Sequence, residues 1–339
     1  MSNNTSFPAG RWGAVARQMR CEEDYIQAAQ LGDIRYFAVF DGHGCNQLKE
    51  KDNKERYAAN HAAAYARNFL HERIAAGLSS VDMSDEEAVK AAIVRIFVSF
   101  DEELREKNVE YGSTCTIVLI DDKNDKIYQV NLGDSRSMIL KGTTEPVIVS
   151  ATTDHRPYDP VEEQRIKNAG GSIKSKRVDG DLLISRSFGD FNFKMSTTKS
   201  YDPINGRVSA VPDVTVMPKS SGDVVILVSD GVYDRPDYTN ETVSNLFVSE
   251  AAEAKEIADH YQEFYLKRSV HNYLEIKKGR IPSRDEELTL IREVDRICYF
   301  KSYIVDLDEC TDKTPHILAA RIAENACIRD DTSVIIVYI

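Results

Sequence analysis

The chain has 339 residues and no apolar run near the ~20 residues that a bilayer-spanning helix needs. Its longest runs, VVIL near 224 and VIIVYI at 334–339, are of strand length, so no membrane span is expected. Cation excess is missing too: 43 Lys and Arg stand against 55 Asp and Glu, a net charge of −12. That balance argues against nucleic acid as a partner, because a phosphate backbone is held by lysine and arginine. The six cysteines (21, 45, 115, 298, 310, 327) include no C-x-x-C pair, which removes a zinc ribbon and gives no sign of a disulfide framework. The first ten residues, MSNNTSFPAG, have neither the basic-then-apolar layout of a secretion signal nor a glycine after Met1 for a myristoyl group. Free thiols in a reducing compartment follow as the expectation: cytoplasmic, with the nucleus open, and monomeric.

What is present is a set of short β-branched and aromatic runs. IRYFAVF (34–40), CTIVLID (115–121), KIYQVNL (126–132), VVILVS (224–229) and SVIIVYI (333–339) have strand length. KNDK (123–126) between two of them reads as a hairpin loop and favours antiparallel pairing. Helices carry start signals: Ser84 with Glu87 as a capping box before Val89, Ile93, Ile96, Phe100 and Leu104, and Asp159-Pro160 before a segment stopped by Gly170-Gly171. Residues 57–76 are alanine-rich and helical in pattern, and Thr314-Pro315 opens another candidate. From about 250 to 300 the strand signals vanish and helical patterns replace them. Strands and helices are segregated along the chain, so the class expected is α+β.

Acids sit at the strand ends. FAVF runs into Asp41, YQVNLG into Asp134, VVILVS into Asp230, and a candidate strand at 12–18 leads to Glu23-Asp24, whereas Asp330 precedes the last strand. In an antiparallel sheet the end of one strand lies beside the start of its neighbour, so these acids are expected to meet at one edge. Clustered carboxylates raise one another's pKa, and a divalent cation relieves that repulsion. An all-oxygen donor set, in a chain with only seven histidines, suits Mg²⁺ or Mn²⁺ rather than zinc.

The motifs FAVFDGHG, YGSTCTIVL, VNLGDSR, TTDHRPYDPVEEQRIKNAGGSI, LLISRSFGD, VPDV, ILVSDGVYD and RDDTSVIIV occur in that order. Together they resemble the type 2C protein phosphatases, metal-dependent serine/threonine phosphatases, over most of the chain outside about 235–310. The resemblance implies one catalytic domain over 1–339, a four-layer αββα sandwich of two antiparallel β-sheets flanked by helices, with a helical insertion at 250–310 near the C-terminus. It implies two Mn²⁺ or Mg²⁺ ions, with Asp41 bridging, Gly42 offering its carbonyl, Glu23, Asp230 and Asp330 completing the coordination, and Asp24 anchoring behind them. Asp134 and Asp234 match positions that help hold a weaker third ion. Hydrolysis of phosphoserine or phosphothreonine would proceed by direct attack of a metal-bridging hydroxide, with His43 as general acid. His155, by contrast, reads as structural.

An arginine normally grips the substrate phosphate; ARQMRCEED offers Arg20 first and Arg17 in reserve. Arg186 in SRSFGD is a third candidate, with a loop-holding salt bridge as its other reading. The flap implied is 191–210, a polar segment suited to selecting phosphoprotein substrates. The 250–310 insertion reads as decoration or as a partner-docking surface. Cys45 after DGHG and Cys21 before Glu23 read as tolerated small residues or as thiols that confer oxidation sensitivity. The alternative function is a catalytically silent phosphatase-like binding or regulatory module.

Overall fold

A computed structural model describes residues 11–17, 23–44, 61–142, 146–196, 200–233, 239–245, 247–248, 319 and 332–339. Among the described residues, fourteen strands fall into two large antiparallel sheets and a small hairpin. The first sheet has five strands: β1 (Arg11–Arg17), β14 (Thr332–Tyr338), β13 (Asp223–Val228), β7 (Arg136–Lys141) and β8 (Val147–Ala151), in that spatial order. The second has seven, ordered β11 (Phe188–Gly189), β4 (Gly112–Ser113), β3 (Ile34–His43), β5 (Cys115–Asp121), β6 (Lys126–Leu132) and β12 (Asp213–Pro218), with β2 (Asp24–Leu31) also paired to β3. The hairpin joins β9 (Ile173–Lys174) and β10 (Arg177–Val178).

The period of two in each strand explains the layering. On β3, Phe37 and Val39 face the other sheet, where Trp12, Ile139, Val225, Leu227, Ile335 and Val337 meet them. Its alternate residues Tyr36, Ala38 and Phe40 face two helices, α1 (Ala62–Leu78) and α2 (Glu86–Glu106), through Leu70, Ile74, Ile93, Phe97 and Phe100. On the far sheet, Val224, Ile226, Val228, Val334 and Ile336 turn outward onto helical residues Val243, Phe247 and Ala319. Helix, sheet, sheet, helix is the expected sandwich. Each fully buried Val, Leu, Ile or Phe stabilises it by roughly 1.5–3 kcal/mol.

Several local expectations are corrected. β3 does not stop at Asp41: it runs to His43, because Gly42 and His43 pair with Ser113 and Gly112 of the two-residue β4. Glu23-Asp24 open β2 rather than close β1, and Asp24 lies opposite Asp41 in register. α2 is capped by Asp85, whose carboxylate accepts from the N–H groups of Glu87 and Ala88, while the Ser84 hydroxyl donates to Asp82. The carboxylate wins because it satisfies two orphan donors. The expected cap at Asp159 holds, opening α3 (Pro160–Asn168). The alanine-rich helix starts at Ala62 rather than 57; residues 57–60 lie outside the described residues, as does the whole 250–310 insertion.

Candidate metal centre

Three elements deliver three carboxylates to one point. Asp41 rides on β3 and donates its backbone N–H to Thr114 Oγ1 at 3.2 Å; the Thr114 N–H returns a bond to the Asp41 carbonyl at 2.9 Å. Asp134 follows Gly133, whose φ of +112° makes the sharp exit from β6 and whose N–H donates to His155 Nδ1 at 3.0 Å. Asp230 opens a 3₁₀ turn after β13, where Ser229 and Ser333 exchange bonds and tie the end of β13 to the start of β14. One oxygen from each of Asp41, Asp134 and Asp230 lies within 4.8 Å of the others.

Such a cluster is electrostatically uncomfortable. The Asp41 carboxyl is pushed well above the usual range by burial and by Asp230, Asp24 and Asp134. Asp134 is buried and also raised, by burial and by Asp154, against the pull of the Arg156 guanidinium 2.6 Å from its Oδ2. An oxygen-only donor set carrying this much mutual repulsion fits a hard divalent cation.

His43 stands at the edge of the same centre, close enough that Glu23 and Asp134 bear on its charge. Its Nε2 lies 2.8 Å from Asp190 Oδ2. Burial alone would favour the neutral ring, but Asp190, with Glu23 and Asp134, outweighs it and the imidazole pKa is raised. Beside this pair opens a cavity of about 600 Å³, lined by Tyr111, Leu182, Phe191 and Phe193 among others.

His61 supports the floor. It is buried, its Nδ1 caps α1 by accepting from the Ala63 N–H at 3.1 Å, and its ring stacks on Tyr111. Burial and neighbouring His43 hold its pKa down to about 3, so the ring is neutral. A Cβ on Gly42 would come within 2.0 Å of this ring and 2.8 Å of the Glu23 carbonyl, so glycine is required there for close packing.

Of the residues singled out from sequence, Asp41, Asp134 and Asp230 come together, with Asp24, Glu23, Gly42 and His43 adjoining them. Asp134 lies in one cluster with Asp41 and Asp230, at the shared edge expected of the strand-end acids. Arg20, Asp234, Asp330, Cys21 and Cys45 lie outside the described residues; Arg17 is on β1, its side chain outside them. Arg186, read as a phosphate contact or a loop-holding salt bridge, has its guanidinium engaged by Glu162 Oε1 at 2.7 Å, Asp213 Oδ1 at 2.8 Å and the Val211 carbonyl at 3.1 Å. It pins the start of α3 to β12, which is the loop-holding reading. His155 is structural as expected, with Nε2 3.2 Å from Asp213.

The flap is more tightly laced than a polar segment suggests. Lys194 is fully buried, with Nζ 2.8 and 2.7 Å from the two oxygens of Asp101 on α2 and 2.8 Å from the Ser187 carbonyl. Asp101 also accepts from the Gly189 N–H at 2.8 Å and from the Tyr201 hydroxyl. Sequence reasoning missed Asp190, Arg156, His61 and this ion pair. Asp190 had a signal, since SFGD repeats the apolar–Gly–Asp ending seen in NLGD.

Two stacked antiparallel sheets with carboxylates gathered at one edge make a candidate metal-binding centre. The protein phosphatase 2C family model matches residues 13–272, and the chain belongs to that family, whose members are metal-dependent. It is 34% identical over 207 residues to protein phosphatase 1A of Mus musculus, covering 59% of this chain and 50% of that one. Similarity to the probable protein phosphatase 1N of Homo sapiens is 34% over 234 residues, 66% of this chain and 50% of the relative. The chain thus spans about half the length of these curated relatives. A phosphatase structure from a pathogenic strain of Toxoplasma gondii has the same fold, with a TM-score of 0.61 at 22% identity, over 96% of this chain and 91% of that one.

Proposed function

We propose that the chain hydrolyses phosphoserine and phosphothreonine in protein substrates, using two Mn²⁺ or Mg²⁺ ions and a weaker third. The observation that carries this is the convergence of Asp41, Asp134 and Asp230 within 4.8 Å, with His43 at its edge. Asp41 and Asp230, with Glu23, Gly42 and Asp330 and anchored by Asp24, would hold the first two ions; Asp134 and Asp234 would contribute to the third. Bound there, the cations supply Lewis acidity and a water whose pKa is lowered toward neutrality, the nucleophile for phosphorus. His43 supplies the proton that the departing serine or threonine oxygen needs, a poor leaving group without one. The substrate phosphate falls to an arginine of the 17–20 segment, because Arg186 is committed to Glu162 and Asp213. The protein acts as a cytoplasmic monomer, and the 250–310 insertion is a docking surface for partners.

Hydrolysis of a phosphothreonine peptide and of p-nitrophenyl phosphate, measured with Mn²⁺ or Mg²⁺, with chelator, and in Asp230→Ala, tests the reading. Turnover that requires metal and disappears in the variant is expected. A chain inactive with metal is the silent binding module instead, and activity that survives Asp230→Ala refutes the site assignment. Deleting 255–305 without change in activity, stability or binding partners would remove the docking role.

A further inference from the structure

We propose that Asp190 is the positioning residue for His43: its carboxylate fixes the imidazole through Nε2 and leaves Nδ1 as the ring nitrogen available to the leaving group. The proposal rests on the phosphatase reading and adds a residue to it. Asp190 Oδ2 is 2.8 Å from His43 Nε2 and accepts a second bond, at 2.5 Å, from the Ser187 hydroxyl. A carboxylate that takes a hydrogen bond from Nε2–H selects the tautomer and the ring orientation together.

The surrounding backbone is built around this contact. His43 and Gly189 both pair with Gly112, so β3, β4 and β11 place them in one row with Asp190 one residue beyond it. Gly112 must be glycine: an added Cβ would lie 2.2 Å from Asp190 Oδ2 and 2.3 Å from His43 Nε2, between the two partners. Asp190 itself sits at φ +50°, ψ +38°, a left-handed conformation that Asp and Asn tolerate better than other side chains. Gly189, at φ +72°, lets the chain pass the Tyr111 carbonyl, which a Cβ would meet at 2.0 Å. On either side of Asp190 the chain is pinned by the buried network, through Gly189 N–H to Asp101 and Lys194 Nζ to the Ser187 carbonyl. A surface ion pair would need none of this.

The test separates positioning from bulk structure by leaving group. Asp190→Asn keeps the shape and tolerates the left-handed backbone, so folding is checked by an unchanged melting temperature. With Mn²⁺, kcat on a phosphothreonine peptide should fall about 10- to 100-fold, within the contribution of a positioned proton donor. On p-nitrophenyl phosphate, whose leaving group needs little protonation, the loss should be at least tenfold smaller. His43→Gln should show the same selectivity, and the double variant should lose no more than His43→Gln alone. Independently of activity, imidazole ¹⁵N spectra of the metal-free chain should show His43 Nε2 protonated, with Nδ1 the nitrogen that carries the transferable proton in the charged ring, a pattern altered in Asp190→Asn. Equal losses on both substrates, additive losses in the double variant, or a His43 Nδ1–H tautomer would overturn the proposal while leaving the phosphatase reading intact. A wild-type chain that hydrolyses neither substrate would overturn both.

Discussion

Asp101 and Asp134 are both buried carboxylates, and the chain treats them in opposite ways. Around Asp101 the protein supplies its own neutralisation: Lys194, the Tyr201 hydroxyl and the Gly189 N–H converge on the two oxygens. Around Asp134 it adds more negative charge, from Asp41 and Asp230, and among the described residues Arg156 is the guanidinium that reaches it. The first arrangement is finished within the fold and holds α2, β11 and the flap in register. The second leaves its repulsion uncancelled within the fold, an arrangement that suits a divalent cation. A site built for stability cancels its charge internally; a site built for chemistry leaves the cancellation to a cofactor.

The sharpest break of that comparison is a crossed pair of substitutions. Asp41→Ala should lower metal-dependent turnover by on the order of 10³-fold, through loss of several kcal/mol of metal-derived stabilisation. The metal-free melting temperature should hold or rise, because a repelling charge is gone. Asp101→Ala should do the reverse to the fold: leaving Lys194 buried without its carboxylate costs about 3–5 kcal/mol in denaturant unfolding, and Asp101→Ala with Lys194→Met should recover much of it. Arg186→Ala comes next, with about 1.5–3 kcal/mol of stability lost from its bonds to Glu162 and Asp213. Its KM for a phosphopeptide should change little, whereas a phosphate-binding arginine would show the opposite split.

The smallest effect is a pH dependence. Folding raises the Asp41 and Asp134 pKa values above those of the unfolded chain. The native state therefore binds more protons than the unfolded state, and the cluster's contribution to stability falls as pH rises above the unfolded carboxylate range near ~3.9. A cation that stabilises by about 2.7 kcal/mol at 100 times its Kd should give a larger melting-temperature gain at pH 7.5 than at pH 5. Equal gains at both would deny the cluster its role in binding.

Much of this was legible in the sequence, and the failures have a common cause. Length and β-branched, aromatic content are local properties, so IRYFAVF and VVILVS were legible as strands, whereas their layering came from the family resemblance. Acids following three apolar strand runs implied a shared edge once antiparallel pairing was assumed, and Asp41, Asp134 and Asp230 do lie within 4.8 Å of one another. The continuation of β3 past Asp41 was not legible, because its partner β4 has two residues and no pattern. Asp190 meets His43 across 147 positions and Lys194 meets Asp101 across 93, and such side-chain pairings leave no periodic trace. The two readings of Arg186, phosphate contact and loop-holding salt bridge, could not be separated from its motif, which names an arginine but not the Glu162 and Asp213 that engage it.

The central claim is that Asp41, Asp134 and Asp230 form a cation site, and calorimetric titration of Mn²⁺ into the metal-free chain tests it most directly. Saturable binding by the wild type is expected, abolished in Asp41→Asn, a substitution that keeps the shape of the side chain and removes its charge. Undetectable binding by the wild type, or equal binding by the variant, would contradict it.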